Sequence, residues 1–263
     1  MKSNVLPLQS GIIYGPVNSK RLGRSLGINL LSTTKKICSF NCIYCHYGIT
    51  HELTCTPAIN ELPSIEEINR EVKLALSIYK NIDYLTFSGN GEPMIYPFFE
   101  KVVKNIKQLR DELLPKVPIA LLSNSSCLTQ DLFLSALRLI DIRVFKLDTA
   151  DEELFKKINR PCPGLHLVDI INALVKLSRK LPIIIQTIFI DGEVNNYSPE
   201  VLEKWCKVIK EINPLEVQIY STDRPVAEKG IVMLDNEKLK ELAVFISRQT
   251  KIKTIPYFAQ TIR

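Results

Sequence analysis

Apolar runs of six to eight residues recur along the chain, separated by longer stretches of helical period. Ser25–Leu31, Ile82–Ser88, Pro118–Ser123, Asp141–Asp148, Pro182–Phe189 and Pro214–Tyr220 each read as a strand. Between the first two, Ile65, Ile68, Val72, Ala75 and Tyr79 fall on one helical face, behind Ser64 and Glu67 spaced as a capping box. Further helices are predicted to start at Thr129, at Ser198 with Pro199 in the first helical position, and at Asp235, flanked by Leu234 and Leu239 as a hydrophobic staple. Strand and helix in alternation predict βα units on a parallel sheet. Six such units are too few to close an eight-stranded barrel, so the expected fold class is α/β, a partial (β/α)6 TIM-like barrel.

The 263 residues, 46% hydrophobic, suffice for one large core. We read them as a single domain, with 1–24 an N-terminal extension, 25–220 the barrel and 221–263 a C-terminal extension. There is no run of eighteen apolar residues and no apolar leader in Met1–Leu8, so a cytoplasmic protein without a membrane partner is expected. In that compartment the seven cysteines read as metal ligands and thiols rather than disulfides. Cys127, Cys162 and Cys206 are scattered; buried inert thiols are the expectation, with Cys162 in a loop between prolines. A net charge of +6 permits nucleic-acid binding without requiring it.

Three cysteines stand together in Cys38-Ser-Phe-Asn-Cys42-Ile-Tyr-Cys45. Thiolates at this C-x3-C-x2-C spacing can hold three irons of a 4Fe–4S cluster, leaving the fourth iron open to a small molecule with an amine and a carboxylate. A zinc site with Cys55 as fourth ligand is the alternative, although only Cys42 and Cys45 form the C-x2-C pair that such sites use. Further on, Ser88-Gly-Asn-Gly-Glu-Pro93 closes a predicted strand. Gly89 and Gly91 suit a turn. Glu92, stiffened by Pro93, adds a carboxylate that can accept hydrogen bonds from an ammonium.

Together the two runs resemble the signature of the radical S-adenosylmethionine (SAM) superfamily. The resemblance implies a barrel of the radical SAM core type, a 4Fe–4S cluster on Cys38, Cys42 and Cys45, and S-adenosyl-L-methionine as second cofactor. It implies reductive cleavage of SAM to a 5′-deoxyadenosyl radical that abstracts hydrogen from a substrate. Gly89, Asn90, Gly91, Glu92 and Pro93 would then hold the methionine amine, with Tyr44 towards the adenine. Both loops follow strand C-termini, the active face of parallel barrels. Asn124, Asp148 and Gln186 end later strands on the same face. Amides and carboxylates suit ribose hydroxyls, and ordinary loop capping accounts for Asn124 and Asp148 equally well. Lys146 shares a strand face with Asp148 and either pairs with it or meets the substrate.

Several longer runs resemble the branch grouped with tRNA wyosine (4-demethylwyosine) synthases: Ile13–Gly27 with its cluster Lys20, Arg21 and Arg24, Lys146-Leu-Asp148, Ile158-Asn-Arg-Pro161, Gln186-Thr-Ile188, Asn195-Asn196 and Gln218–Pro225. That branch implies a tRNA nucleoside as substrate. By position, Lys146 and Arg224 are the candidate catalytic, substrate-contacting groups. Arg160 and Arg224, each before a proline, suit an anionic substrate group or the anchoring of a loop. Wyosine synthases carry further cysteines ahead of the radical motif for a second cluster, and some carry a flavodoxin-like domain. No cysteine precedes Cys38 here, which sets the chain apart from wyosine synthesis itself, and no flavodoxin-like domain is read in it, so an external electron donor, a flavodoxin or ferredoxin, is expected. A peptide or small metabolite is the alternative substrate, and a non-catalytic iron–sulfur or zinc module the third reading.

Overall fold

Each of the six strand-like runs forms a strand in the structure, a computed structural model that describes residues 5–129, 133–222 and 226–258. The described chain divides into two units. The N-terminal one holds Pro7–Ser39 and Thr50–Val144; the C-terminal one holds Phe40–Ile49 and the described residues from Phe145 onward, with Val5 and Leu6.

In the N-terminal unit, β1 (Ile13–Ser19) and β2 (Gly23–Ile28) pair antiparallel, and the short β3 (Ile37–Cys38) and β4 (Glu52–Leu53) pair in parallel. There follow α1 (Ile65–Ile78), β5 (Tyr84–Phe87), α2 (Phe99–Leu113), β6 (Ile119–Ser123), α3 (Leu134–Arg138) and the start of β7 (Ile142–Lys146). Strands β2, β5 and β6 are parallel neighbours, with Leu26 opposite Leu85 and Leu85 opposite Ile119. All three side chains are fully buried, as strands covered on both faces require. The Ser64 capping box forms, each residue accepting from the other's backbone N–H. The buried face of α1 is Ile68, Val72, Ala75 and Leu76, while Ile65 and Tyr79 at its ends are half-buried. The helix expected from Thr129 is described from Leu134, after a 3-10 turn at Ser126–Thr129.

The C-terminal unit continues with α4 (Glu152–Asn159), α5 (Leu167–Ser178), β8 (Ile184–Ile188), β9 (Ile190–Gly192), α6 (Pro199–Ile212), β10 (Glu216–Tyr220), β11 (Ile231–Met233), α7 (Asn236–Thr250) and β12 (Thr254–Tyr257). Strands β8, β10 and β12 are parallel neighbours, and β9 and β11 form a separate antiparallel ribbon. Helix α7 opens as its sequence requires. Asp235 accepts from the Lys238 N–H at 2.7 Å, and Leu234 and Leu239 are both buried. Trp205 on α6 is fully buried against Phe189, edge-on at 5.9 Å between ring centroids, and its indole N–H donates to the Leu147 carbonyl at 3.0 Å. That bond ties the strand end between Lys146 and Asp148 to the helix layer.

Strand order through the sheet is β1-β2-β5-β6-β7-β8-β10-β12. The two outermost strands escape the hydrophobic pattern because each carries a proline, Pro16 in β1 and Pro256 in β12. Proline is tolerated at sheet edges, where one side of the strand has no ladder to complete, and β1 absorbs its proline with a register shift between Tyr14 and Val17. No described helix is long and apolar enough to cross a membrane.

Candidate functional site

The C-x3-C-x2-C run passes from one unit to the other between Ser39 and Phe40. The N-terminal unit holds Cys38 and the Gly89–Pro93 turn. Cys38 is buried on β3, and its neighbour Ile37 makes a parallel bridge to Gly91. Gly91 has φ 154°, and a methyl group there would stand 1.7 Å from the Ile37 carbonyl oxygen. Gly89, at φ 135°, would set a methyl 2.7 Å from Asn29 Oδ1. The fully buried Asn90 staples the turn to the segment before β1 and to the loop after β2, its Nδ2 donating to the Gln9 and Ser32 carbonyls at 2.9 Å each. Gly91→Ala is therefore expected to destabilise the fold by ~2–3 kcal/mol, read by urea denaturation.

Glu92 is buried and caps the 3-10 turn Pro93–Ile95. Its Oε1 accepts from the Met94 N–H at 3.0 Å and its Oε2 from the Asn124 N–H at 2.5 Å. Burial lifts the carboxyl to about 7, against the pull of those N–H donors and the Ser123 hydroxyl. The influences on it include no positive charge among the described residues. A buried carboxylate held by three donors and lacking a cation suits a positively charged or N–H-rich ligand. The Asn124 side chain turns to the cysteine loop, with Nδ2 2.9 Å from Ser39 Oγ and 3.7 Å from Cys38 Sγ. Burial, with the nearby Glu92 charge second, pushes the Cys127 thiol well above its usual range.

The C-terminal unit holds Cys42 and Cys45, both half-buried, in a tight turn closed by the Cys45 N–H on the Cys42 carbonyl at 3.1 Å. Tyr44 between them donates its hydroxyl to Asp148 Oδ2. Burial, and then the Asp148 charge, holds this phenol well above the ordinary tyrosine range. Asp148 is buried, pairs with Lys146 at 2.8 Å and accepts from the Ile188 N–H at 3.1 Å. The Lys146 ammonium lies over the Tyr44 and Tyr220 rings at 5.0 and 4.8 Å and donates to Tyr220 Oη at 3.1 Å. Burial works to lower its pKa, but the charges and hydrogen bonds of Asp148 and Tyr220 outweigh it and the net shift is upward. Lys146 is thus a fixed cation rather than a neutral nucleophile.

Gln186 is buried on β8 and donates to Gln218 Oε1 at 3.1 Å. Arg160, in left-handed conformation at the end of α4, pairs with Glu228 at 2.6 Å. Arg224 lies outside the described residues. Lys20, Arg21 and Arg24 sit around the turn that enters β2, the opposite end of that strand from the loop leading to Cys38. Sequence reasoning did not single out Asn159, whose amide reaches Cys42, Asp148 and Tyr44, nor Glu228. For Asn159 the only signal was its place in the run Ile158–Pro161.

A profile of the Radical SAM superfamily matches residues 33–204, which include the three cysteines, Glu92, Asp148 and Asn159, and the chain belongs to that superfamily. Membership implies an enzyme that works with a 4Fe–4S cluster and SAM. More particularly, the chain is 34% identical over 254 residues to the UPF0026 protein MJ1312 of Methanocaldococcus jannaschii, covering 94% of this chain and 75% of that protein. A Brachyspira hyodysenteriae protein named GTPase Obg is 33% identical over 248 residues, and the match spans only 35% of that protein's length. Among solved structures, a radical SAM methyltransferase from Sphaerobacter thermophilus is similar at TM-score 0.62 and 13% identity, over 90% of this chain and 67% of that one. TYW1 with a lysine–pyruvate adduct bound is similar at TM-score 0.59 and 16% identity, over 86% and 73%. The fold is accordingly the partial TIM-like barrel of the radical SAM core.

The residues present fit these cofactors. Cys38 and Cys42 each receive a side-chain amide N–H, from Asn124 and Asn159, the kind of donor that steadies metal-bound thiolates. Among the described residues no three His, Cys, Asp or Glu side chains converge as the ligands of one metal ion must. Thiolates that each bind a different iron of a cube are under no such requirement.

Proposed function

We propose that Cys38, Cys42 and Cys45 hold a 4Fe–4S cluster, that the Gly89–Pro93 turn holds SAM through Glu92, and that the substrate is a tRNA nucleoside. With both cofactors bound, one-electron cleavage of SAM supplies a 5′-deoxyadenosyl radical that takes a hydrogen atom from the substrate. The observation that carries the reading is Glu92, a buried carboxylate with N–H donors and, among the described residues, no cation acting on it, preceded by a glycine turn that also braces Cys38. Asn124 positions both Glu92 and Cys38. Asp148 and Gln186 serve the ribose, and Tyr44 lies towards the adenine. Lys146 fixes the charge of Asp148, and Lys146 and Arg224 are the groups assigned to the substrate. The electron comes from a flavodoxin or ferredoxin.

Support for tRNA comes from the runs that resemble the wyosine branch and from a cleft of about 250 Å³ beside Ile43, lined by Lys157, Arg160 and Lys229 as well as Glu193 and Glu228. Three cations against two carboxylates, next to the cysteine loop, suit a phosphate backbone better than the cluster at Lys20, Arg21 and Arg24, which lies at the far end of β2. Binding of total tRNA should weaken steeply with salt, with a log–log slope of roughly 0.9 or less per phosphate neutralised, and Arg160→Gln should lower that slope by about one phosphate. Filter binding at two salt concentrations measures both. Binding that salt does not change, with an unaltered nucleoside profile in cells lacking the protein, would discard tRNA and leave a peptide or small metabolite as substrate.

A further inference from the structure

We infer that Asn159 is a positioning residue for the iron–sulfur cluster, holding the Cys42 thiolate and linking it to the Asp148 network. The inference rests on the cluster reading above and adds a residue to it.

Helix α4 ends at Asn159 because Arg160 turns left-handed at φ 44°. A helix end leaves carbonyls without intrahelical partners, and here the cysteine loop supplies them. The Ile43 N–H donates to the Ile158 carbonyl at 2.9 Å, and the Asn41 N–H donates to the Asn159 and Arg160 carbonyls at 3.0 and 3.1 Å. Both residues flanking Cys42 are thus bonded to the end of α4. Packing reinforces the joint: Phe40 meets Phe155 edge-on at 5.4 Å, and Ile43 and Ile158 share one buried cluster.

The Asn159 side chain is held in that joint at 3% exposure. Its Nδ2 lies 3.5 Å from Cys42 Sγ, 2.9 Å from Asp148 Oδ2 and 3.2 Å from Tyr44 Oη. An amide has two hydrogens. The shortest contact takes one for Asp148, and the other is shared between the thiolate and the phenol oxygen. Reduction of a cluster adds negative charge to its thiolates, so an N–H donor stabilises the reduced form more than the oxidised one and raises the potential.

Asn159→Leu keeps the volume and removes the donor. In reconstituted protein with wild-type iron and sulfide content, its reduction equilibrium should fall about tenfold, which is ~59 mV more negative for a one-electron couple. A spectroelectrochemical titration, with dithionite as the source of the electron, reads this directly. A packing role alone would lower the thermal midpoint and leave the potential in place. An unchanged potential in the cluster-loaded variant overturns the inference and leaves the cluster reading standing. If Asn159→Leu does not fold, Asn159→Ala withdraws the donor by truncation, with no branched side chain to place beside Asp148, and is judged by the same shift. Wild-type protein that takes up no cluster would sink the underlying reading, and this inference with it.

Discussion

Exchanging Cys42 for alanine is expected to abolish formation of 5′-deoxyadenosine from SAM and dithionite and to reduce the iron retained after anaerobic reconstitution more than about 100-fold in affinity. Residues that only support a metal ligand typically cost 10–100-fold when removed, so loss of the ligand itself should exceed that range, and exceed the effect of Asn159→Leu. Cys42 is half-buried in a turn whose backbone is held by α4, so the alanine variant keeps the hydrogen bonds of Asn41 and Ile43 to that helix end. Iron and sulfide assays, visible absorption and product analysis by chromatography check the result. A brown Cys42→Ala protein that still cleaves SAM would remove Cys42 from the site. A wild-type protein that instead binds one tight zinc and stays colourless would replace the radical reading with a structural metal site.

The second large effect concerns Glu92→Gln, where binding and stability should separate. The wild-type carboxyl titrates near 7 in the fold, raised from 4.5 by burial. Between those two values the folded protein keeps a proton that the unfolded chain has released. Wild-type stability should therefore fall as pH rises from about 4.5 to 7 and level off above, by up to ~3 kcal/mol at about 1.4 kcal/mol per pKa unit. Glutamine does not titrate, so the variant should lack this slope in urea denaturation between pH 5 and 8.

Binding should move the opposite way. A SAM amine is held by the ionised carboxylate, so the affinity of cluster-loaded wild type should rise roughly tenfold per pH unit below 7 and flatten above it. Glu92→Gln removes the charge at nearly constant volume. SAM should then bind about tenfold more weakly or worse at pH 8, with the pH dependence gone and the cluster still in place. Equal SAM affinity in the two proteins at pH 8 would take Glu92 out of the cofactor site.

The radical SAM reading was legible from sequence because its carriers are local. Cys38, Cys42 and Cys45 lie within eight residues, and Gly89–Pro93 is contiguous, so the resemblance to the superfamily's two motifs can be read from short stretches of the chain. The six interior strands were legible for a similar reason. Strands buried on both faces read as near-continuous apolar runs, and a helix over a sheet repeats its apolar residues at the helical period. The edge strands β1 and β12 were not, since an edge tolerates proline and partial exposure, and their pairing partners alone make them strands.

Polar partnerships across long separations belonged to the tertiary structure. Asn159 meets Cys42 across 117 positions, Asn124 meets Cys38 across 86, and Arg160 meets Glu228 across 68. Asparagine serves turns and caps everywhere in proteins, so its letter in a sequence carries no sign of a sulfur nearby. By itself the sequence determined the fold class and the superfamily, and with them the candidate cofactor ligands, because hydrophobic period and motif spacing are properties of near neighbours along the chain. Which polar groups surround those ligands, and which charges sit beside them, was decided only by how the helix ends and strand ends pack, because no local pattern encodes where a chain returns.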